Sequence, residues 1–334
     1  MAEEEPWRRA SRIRPKLTAT ELVEHLKGKG VTFKLCSEDE AADYLENVSP
    51  YTHSACYRKL YPVKAQGPRA GDYIGLDFGA LVTLSTADRV LRSSLREVCV
   101  DVEHFARQEL QRRIDRHGGD GYQIVWDYLA HKREQGNARL ESALRSRSAT
   151  GKFPDEYSGG LISHYLDDIG RLSDWTLLEV TDFGQFVDFW LFCSERWGDK
   201  GMAETHYVLK SVKALRNACS HNSCIINGFC ASAEIRSYPT PECMMASMNE
   251  RGMRNGKSRR AKLRNLRISQ IAATLYASSV FCTRPSTRDR HGEAMHKGRE
   301  ALSAALPLCP VDGSLASYFE FLFKLVDTWT PYRS

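Results

Sequence analysis

One feature outlasts every other pattern in this chain. Leu84, Leu91, Leu95, Val98, Val102 and Phe105 return at helical spacing along a single stripe between Phe78 and Arg116. Such a stripe buries one face of a long helix; a strand, whose side chains alternate every second residue, cannot use it. Few stretches elsewhere alternate with period two, so the fold class is all-α. The Gly118-Gly119 pair stops the long helix.

Shorter signals place the other elements. Thr18 with Glu21 three residues on, and Ser37 with Glu40, are capping boxes. The first opens a helix to about Lys27, ended by Gly28 and Gly30, and the second a short helix through Leu45. Residues 47–72, holding Pro50, Pro62, Gly67, Pro68 and Gly71, read as irregular. A helix is predicted from about Tyr122 to Arg145, then a loop over 146–160. Asp182 caps an aromatic-rich helix from Phe183 to Arg196.

A further helix, about Glu204 to Ser220, turns Val208, Val212, Leu215 and Cys219 onto one narrow apolar face. Lys210, Lys213, Asn217, Ser220 and His221 gather on the far side, with Arg216 at the edge. Pro239 and Pro241 then break the chain, and helices from Ile268 to Val280 and Ser314 to Trp329 close it. By segment, 1–14 is read as a disordered tail, 15–75 as an N-terminal helical segment, 76–230 as a helical core and 231–334 as a basic connector with C-terminal helices packed on that core.

Composition bounds the class. The 334 residues are 42% hydrophobic and 27% charged, as in ordinary soluble proteins. Nothing approaches the roughly 20 apolar residues of a membrane helix, and Met1 to Arg14 lacks an apolar signal core. The expected setting is cytoplasmic, with no membrane partner. The ten cysteines contain no CxxC pair and read as small buried hydrophobes. Cys219, Cys224 and Cys230 beside His221 raise a zinc site, but their spacings fit no compact one. No metal and no cofactor are therefore expected.

The net charge of +5 is unevenly spread. Arg251, Arg254, Lys257, Arg259, Arg260, Lys262, Arg264 and Arg267 follow one another without an acidic residue between them. A run of this kind is either a solvated face or an electrostatic footprint for phosphate, and the missing carboxylates favour RNA contact.

Arg216, Asn217 and His221 form an R-N-x-x-x-H arrangement at a helix end. Histidine takes or gives a proton near neutral pH. RNA carries its own nucleophile, the 2′-hydroxyl. A base that removes its proton lets the oxygen attack phosphorus, giving a 2′,3′-cyclic phosphate and a 5′-hydroxyl without a metal. An arginine stabilises the charge that builds on the phosphoryl oxygens, and an asparagine orients the imidazole or donates to the phosphate. Spacing alone does not decide the matter: Arg112 and His117 form a second such pair, without the Asn, read as a helix end whose basic residues suit the dipole.

Several pieces in order resemble the Abi family of abortive-infection proteins, of the AbiD and AbiF type, within the HEPN superfamily. They are PKLTATELVEHLKGKGV from Pro15 to Val31, EDEAADYLENVSPY from Glu38 to Tyr51, ACYRKLYP around Tyr57, Arg58 and Tyr61, ADRVLRSSL with VDVEHFAR, DWTLLEVTDFGQF holding Trp175, Glu179, Phe183 and Gly184, and RNACSHN. The resemblance covers roughly residues 15 to 230. The stretch after the histidine, Asn222 to Asn227, is less basic and aromatic than is usual in that family.

The resemblance implies a HEPN-like helical bundle with additional N- and C-terminal helices. It also implies an RNA-cleaving toxin used against phage, with its site assembled across a homodimer. Glu103, Arg107 and Lys213 are the expected supporting residues; the matched Glu and Arg positions suggest that Glu103 and Arg107 orient His221 or Arg216. A regulatory small RNA and an antitoxin are further candidate partners. The rival readings are a non-catalytic RNA-binding module dominated by the basic run, and a zinc-dependent enzyme built on Cys219, Cys224, Cys230 and His221.

Overall fold

The computed structural model describes residues 15–49, 51–136, 140–142, 144, 171–229, 239–310 and 314–332. In chain order the helices are α1 (Ala19–Gly28), α2 (Glu38–Asn47), α3 (Tyr51–Arg58), α4 (Phe78–Arg116), α5 (Gln123–Glu134), α6 (Asp174–Val180), α7 (Phe183–Trp197) and α8 (Lys200–Ser220). A 3-10 turn, Ile226–Phe229, precedes α9 (Glu242–Glu250), α10 (Lys257–Arg264), α11 (Leu266–Phe281), α12 (Pro285–Ala305) and α13 (Ser314–Trp329). Among the described residues there is no strand beyond two isolated bridges, Thr32 with Asp77 and Val63 with Tyr73. The fold is all-α. No described helix is long and apolar enough to cross a membrane.

The chain divides into two compact units. One comprises residues 1–93, 222–234 and 296–323; the other comprises 94–221, 235–295 and 324–334.

In the first unit, α1 and α2 open with the capping boxes their sequences encode. Glu21 N donates to Thr18 Oγ1 at 3.3 Å, and Thr18 N donates back to Glu21 Oε2 at 2.7 Å. Ser37 and Glu40 repeat the arrangement at 3.2 and 2.8 Å. Two of the orphan N–H groups at each helix start are thus satisfied. The stretch read as irregular holds a helix, α3, which carries Tyr57 into the core; its hydroxyl donates to Asp88 Oδ2 at 3.0 Å. Phe229 stacks on Tyr318 at 5.8 Å and meets Phe319 edge-on at 6.3 Å.

In the second unit, α8 packs between α7 and α11. Trp190 of α7 is buried and donates its Nε1 to Met202 O at 2.9 Å. A polar relay crosses the core: Ser278 Oγ and His291 Nδ1 lie 2.8 Å apart, and His291 Nε2 lies 2.8 Å from Asp101 Oδ2, which Arg290 also holds. These residue types also make up hydrolase triads. Here Ser278 is 1% exposed, and the relay joins α4, α11 and α12.

Several boundaries differ from the sequence reading. On α4 the buried stripe passes from Val102 to Ala106, Leu110 and Ile114, while Phe105 is half-buried. At about 100° per residue, Phe105 falls roughly 60° from the line of Leu84 and Val102. The helix predicted to Arg145 ends at Glu134, where Gly136 takes φ 69°. α8 starts at Lys200, a turn early, because Asp199 Oδ1 accepts from Met202 N at 2.9 Å. α6, α9, α10 and α12 were not foreseen. The predicted tail 1–14 and loop 146–160 lie outside the described residues.

Candidate functional site

Helix α8 sets the site. Val208, Val212, Leu215 and Cys219 are all buried, as their spacing demands. That fixes the rotation of the helix and leaves Arg216 and Asn217 half-buried at its edge.

Arg216 donates from Nη1 to Asn217 Oδ1 at 3.2 Å, and its Nε lies 3.7 Å from Glu103 Oε2. The other Glu103 oxygen, Oε1, accepts from Arg107 Nη2 at 2.7 Å. Arg107 donates to Thr181 O at 3.0 Å, to Thr181 Oγ1 at 3.2 Å and to Leu178 O, and its guanidinium lies 4.9 Å from the Phe186 ring centroid. Arg107 therefore satisfies carbonyls at the end of α6 that have no intrahelical partner. So fastened, it holds Glu103 against Arg216. Exposed ion pairs contribute little; this one is embedded in a network that fixes where Arg216 points.

His221 is the C-cap of α8, with φ −91° and ψ 16°, and its backbone N–H donates to Asn217 O at 2.9 Å. Its side chain is exposed. Asn217 and His221 stand one turn apart, so their side chains are neighbours on the helix surface. Among the described residues no hydrogen bond joins the ring to Arg216. Asn222 follows at φ 56°, a left-handed conformation that Asn tolerates better than other non-glycine residues, and it ends the helix.

Lys213 reaches the first turn of α7, where a Cβ added to Gly184 would lie 3.0 Å from its Nζ. The glycine of the Phe-Gly pair lets the lysine's flexible end approach this turn closely; a Cβ there would make that end shift by a few tenths of an ångström. The second Arg-to-His pair reads differently: Arg112 bonds Glu109 at 3.1 Å, and the His117 ring stacks on Trp197 at 4.2 Å.

The basic run splits by burial. Arg251, Arg254, Lys257, Arg260 and Arg264 are exposed, and Lys262 and Arg267 are half-buried. Arg259 corrects the reading of eight RNA-facing cations: it is 4% exposed and donates to Met253 O at 2.7 Å and Asn249 Oδ1 at 2.9 Å. It links the start of α10 to the end of α9.

Cys219 is buried, Cys224 is half-buried, and Cys230 lies outside the described residues. Burial pushes the Cys224 thiol up to about 12. Among the described residues no group of three His, Cys, Asp or Glu side chains could hold a metal ion.

Sequence reasoning missed a cluster behind the post-histidine segment. Asp88, fully buried on α4, accepts from Ile225 N at 2.9 Å, Ile226 N at 2.7 Å, the Tyr57 hydroxyl and Arg92. Burial raises its carboxyl, and Arg92 with the backbone and tyrosine donors pull it back. Every described partner donates, so the group is held as the carboxylate. Its i, i+4 spacing from Arg92 looks like any helix-surface ion pair, and only the buried stripe on both sides hinted otherwise.

The fold and site define an all-helical chain whose long central helix braces an Arg-Asn-His helix end. A family model described as Abi-like protein matches residues 43–227, more than half of the chain. The chain belongs to the Abi-like protein family. No curated protein and no solved structure matches it. The match begins within α2, so Pro15 to Val31, and everything after Asn227, lie outside it.

Proposed function

We propose that this chain is a metal-independent endoribonuclease toxin of an abortive-infection system, of the HEPN kind and the AbiD or AbiF type. Arg216 stabilises charge on the scissile phosphate, His221 acts as general base toward the 2′-hydroxyl or as general acid toward the departing 5′-oxygen, and Asn217 positions one of them. The carrying observation is the chain of contacts from Arg107 through Glu103 to Arg216 and Asn217, with the exposed His221 ring one turn further on. A guanidinium held in advance where charge develops is the arrangement electrostatic catalysis needs. Glu103 and Arg107 are positioning residues in this reading. The active form is a homodimer that brings two such helix ends together, acting in the cytoplasm on RNA, with an antitoxin or small RNA as regulator.

The test is cleavage of total RNA by the purified chain in EDTA. Wild type yields fragments ending in 2′,3′-cyclic phosphate. His221→Ala and Arg216→Ala each lose about 10²-fold or more in rate, as removal of a general acid–base or a charge-stabilising group does, with an unchanged circular dichroism melt. Retained cleavage in both variants sinks the mechanism. A second reading, RNA binding without cleavage, draws on the exposed cations of α10 and its flanks. It requires salt-sensitive binding with intact RNA in both EDTA and magnesium.

A further inference from the structure

The first unit contains a cavity of about 410 Å³ lined by residues of α2, α3 and α4 and by Asn222. Its walls differ in chemistry. Tyr44 and Val48 supply an apolar side, and Tyr44 is steadied edge-on against Phe78 at 6.0 Å. Arg89, Arg92 and His53 belong to the same lining. Ser49, Ser85 and Thr86 add hydroxyl-bearing residues, and no described carboxylate lines the space.

The cationic side is built rather than incidental. Arg92 is nearly buried and anchored by Asp88. His53 Nε2 lies 3.2 Å from the Asn222 carbonyl, the residue held in the left-handed conformation, so the ring's orientation is set. Arg89, one turn before Arg92, is exposed and meets no carboxylate among the described residues. A guanidinium that meets no described carboxylate, in one lining with an imidazole and a second guanidinium, attracts an anion. The volume is far too large for a bare phosphate and falls in the range of small-ligand sites. An aromatic ring in the same lining as the cations suits a base, which stacks on tyrosine whatever its identity.

We infer that this cavity binds a nucleotide, its phosphate facing Arg89, Arg92 and His53 and its base facing Tyr44. The inference goes beyond the proposed cleavage chemistry and does not depend on it. The nucleotide is either free or the end of a strand.

Calorimetric titration of the full chain tests the proposal. The probes are AMP, a short 5′-phosphorylated RNA with 2′-O-methyl riboses that cannot be cleaved, and inorganic phosphate. AMP or the oligonucleotide binds at least tenfold more tightly than phosphate. Binding by AMP marks a free nucleotide as the ligand, and binding by the oligonucleotide alone marks a strand end. Arg89→Glu weakens binding at least tenfold with an unchanged thermal melt, since Arg89 is exposed. Tyr44→Ala weakens nucleotide binding and leaves phosphate binding alone. His221→Ala binds as wild type, so a failure of the cleavage reading would leave this result standing. The proposal is overturned if neither nucleotide probe binds, if phosphate binds as tightly as they do, or if Arg89→Glu binds as wild type.

Discussion

Glu103 contacts two guanidiniums, Arg107 at 2.7 Å and Arg216 at 3.7 Å. One carboxylate between two cations leaves positive charge at the end of α8, where the proposed mechanism puts the phosphate. Spacing placed Glu103 and Arg107 four apart on one helix, and the family resemblance suggested that they orient His221 or Arg216; the contact itself, made from a different helix, comes from packing. A second carboxylate shows what burial does to charge. Asp174, 2% exposed, sits under Gly121, whose φ of 77° leaves no room for a side chain: an added Cβ would lie 2.7 Å from Asp174 Oδ1. Burial pushes the Asp174 carboxyl up to about 6, the Trp175 N–H opposes the rise, and Asp115 adds to it. The folded state therefore holds this proton more tightly than the unfolded chain does. Stability from this group is full at low pH and is lost as pH rises from about 4 through about 6. Asp174→Asn keeps the acceptor for Trp175 and removes the ionisation. The variant should gain up to about 3 kcal/mol over wild type above pH 6 and almost nothing at pH 4. Denaturant midpoints across that range check it; a gap that does not change with pH would refute it.

At the scale of elements, legibility followed local chemistry. Capping boxes announced α1 and α2 and an Asp182 N-cap announced α7; all three are present, and on α7 Gln185 completes a box, reciprocally bonded with Asp182 at 2.8 and 3.0 Å. α12 was invisible for a physical reason. Its buried positions, Thr287, His291, Gly292, Ala294, Met295, Gly298, Leu302 and Ala305, keep helical spacing but are mostly small or polar, so no apolar stripe marks them. Burial of Arg259 was equally hidden, because a cation buried by bonding to α9 has the same letter as one in water. α10 now presents Lys257, Arg260 and Arg264 to solvent, with Arg251 and Arg254 just before it. If this face grips single-stranded RNA, Arg254→Glu with Arg260→Glu reduces the slope of log affinity against log salt by about 0.7 for each phosphate the variant no longer neutralises. An unchanged slope, read by fluorescence anisotropy at several salt concentrations, removes α10 from the RNA surface. Arg259→Ala tests something else, since it should lower the melting temperature.

For the whole molecule, the decisive quantity is the number of chains in the active species. One helix end supplies one Arg216, one Asn217 and one His221, and the second Arg-to-His pair is engaged with Glu109 and Trp197. The proposed chemistry therefore calls for a second copy. Sedimentation at micromolar concentration should give twice the mass of one chain, and cleavage should fall with dilution below the dissociation constant. A monomer with undiminished activity on dilution would contradict the composite site.

Hydrophobic period and capping chemistry are local properties, carried by residues within a turn or two of one another. The sequence alone therefore determined the all-α class, the span of α4, and the face of α8 that is buried. It also placed Arg216, Asn217 and His221 together at one helix end. Tertiary structure alone decided which contacts join Glu103 and Arg107 to that end, that Arg259 turns inward, and that Asp88 pins the segment after the histidine. Those contacts join residues far apart in the chain, and their free energy depends on burial and partner geometry, which no spacing along the sequence encodes.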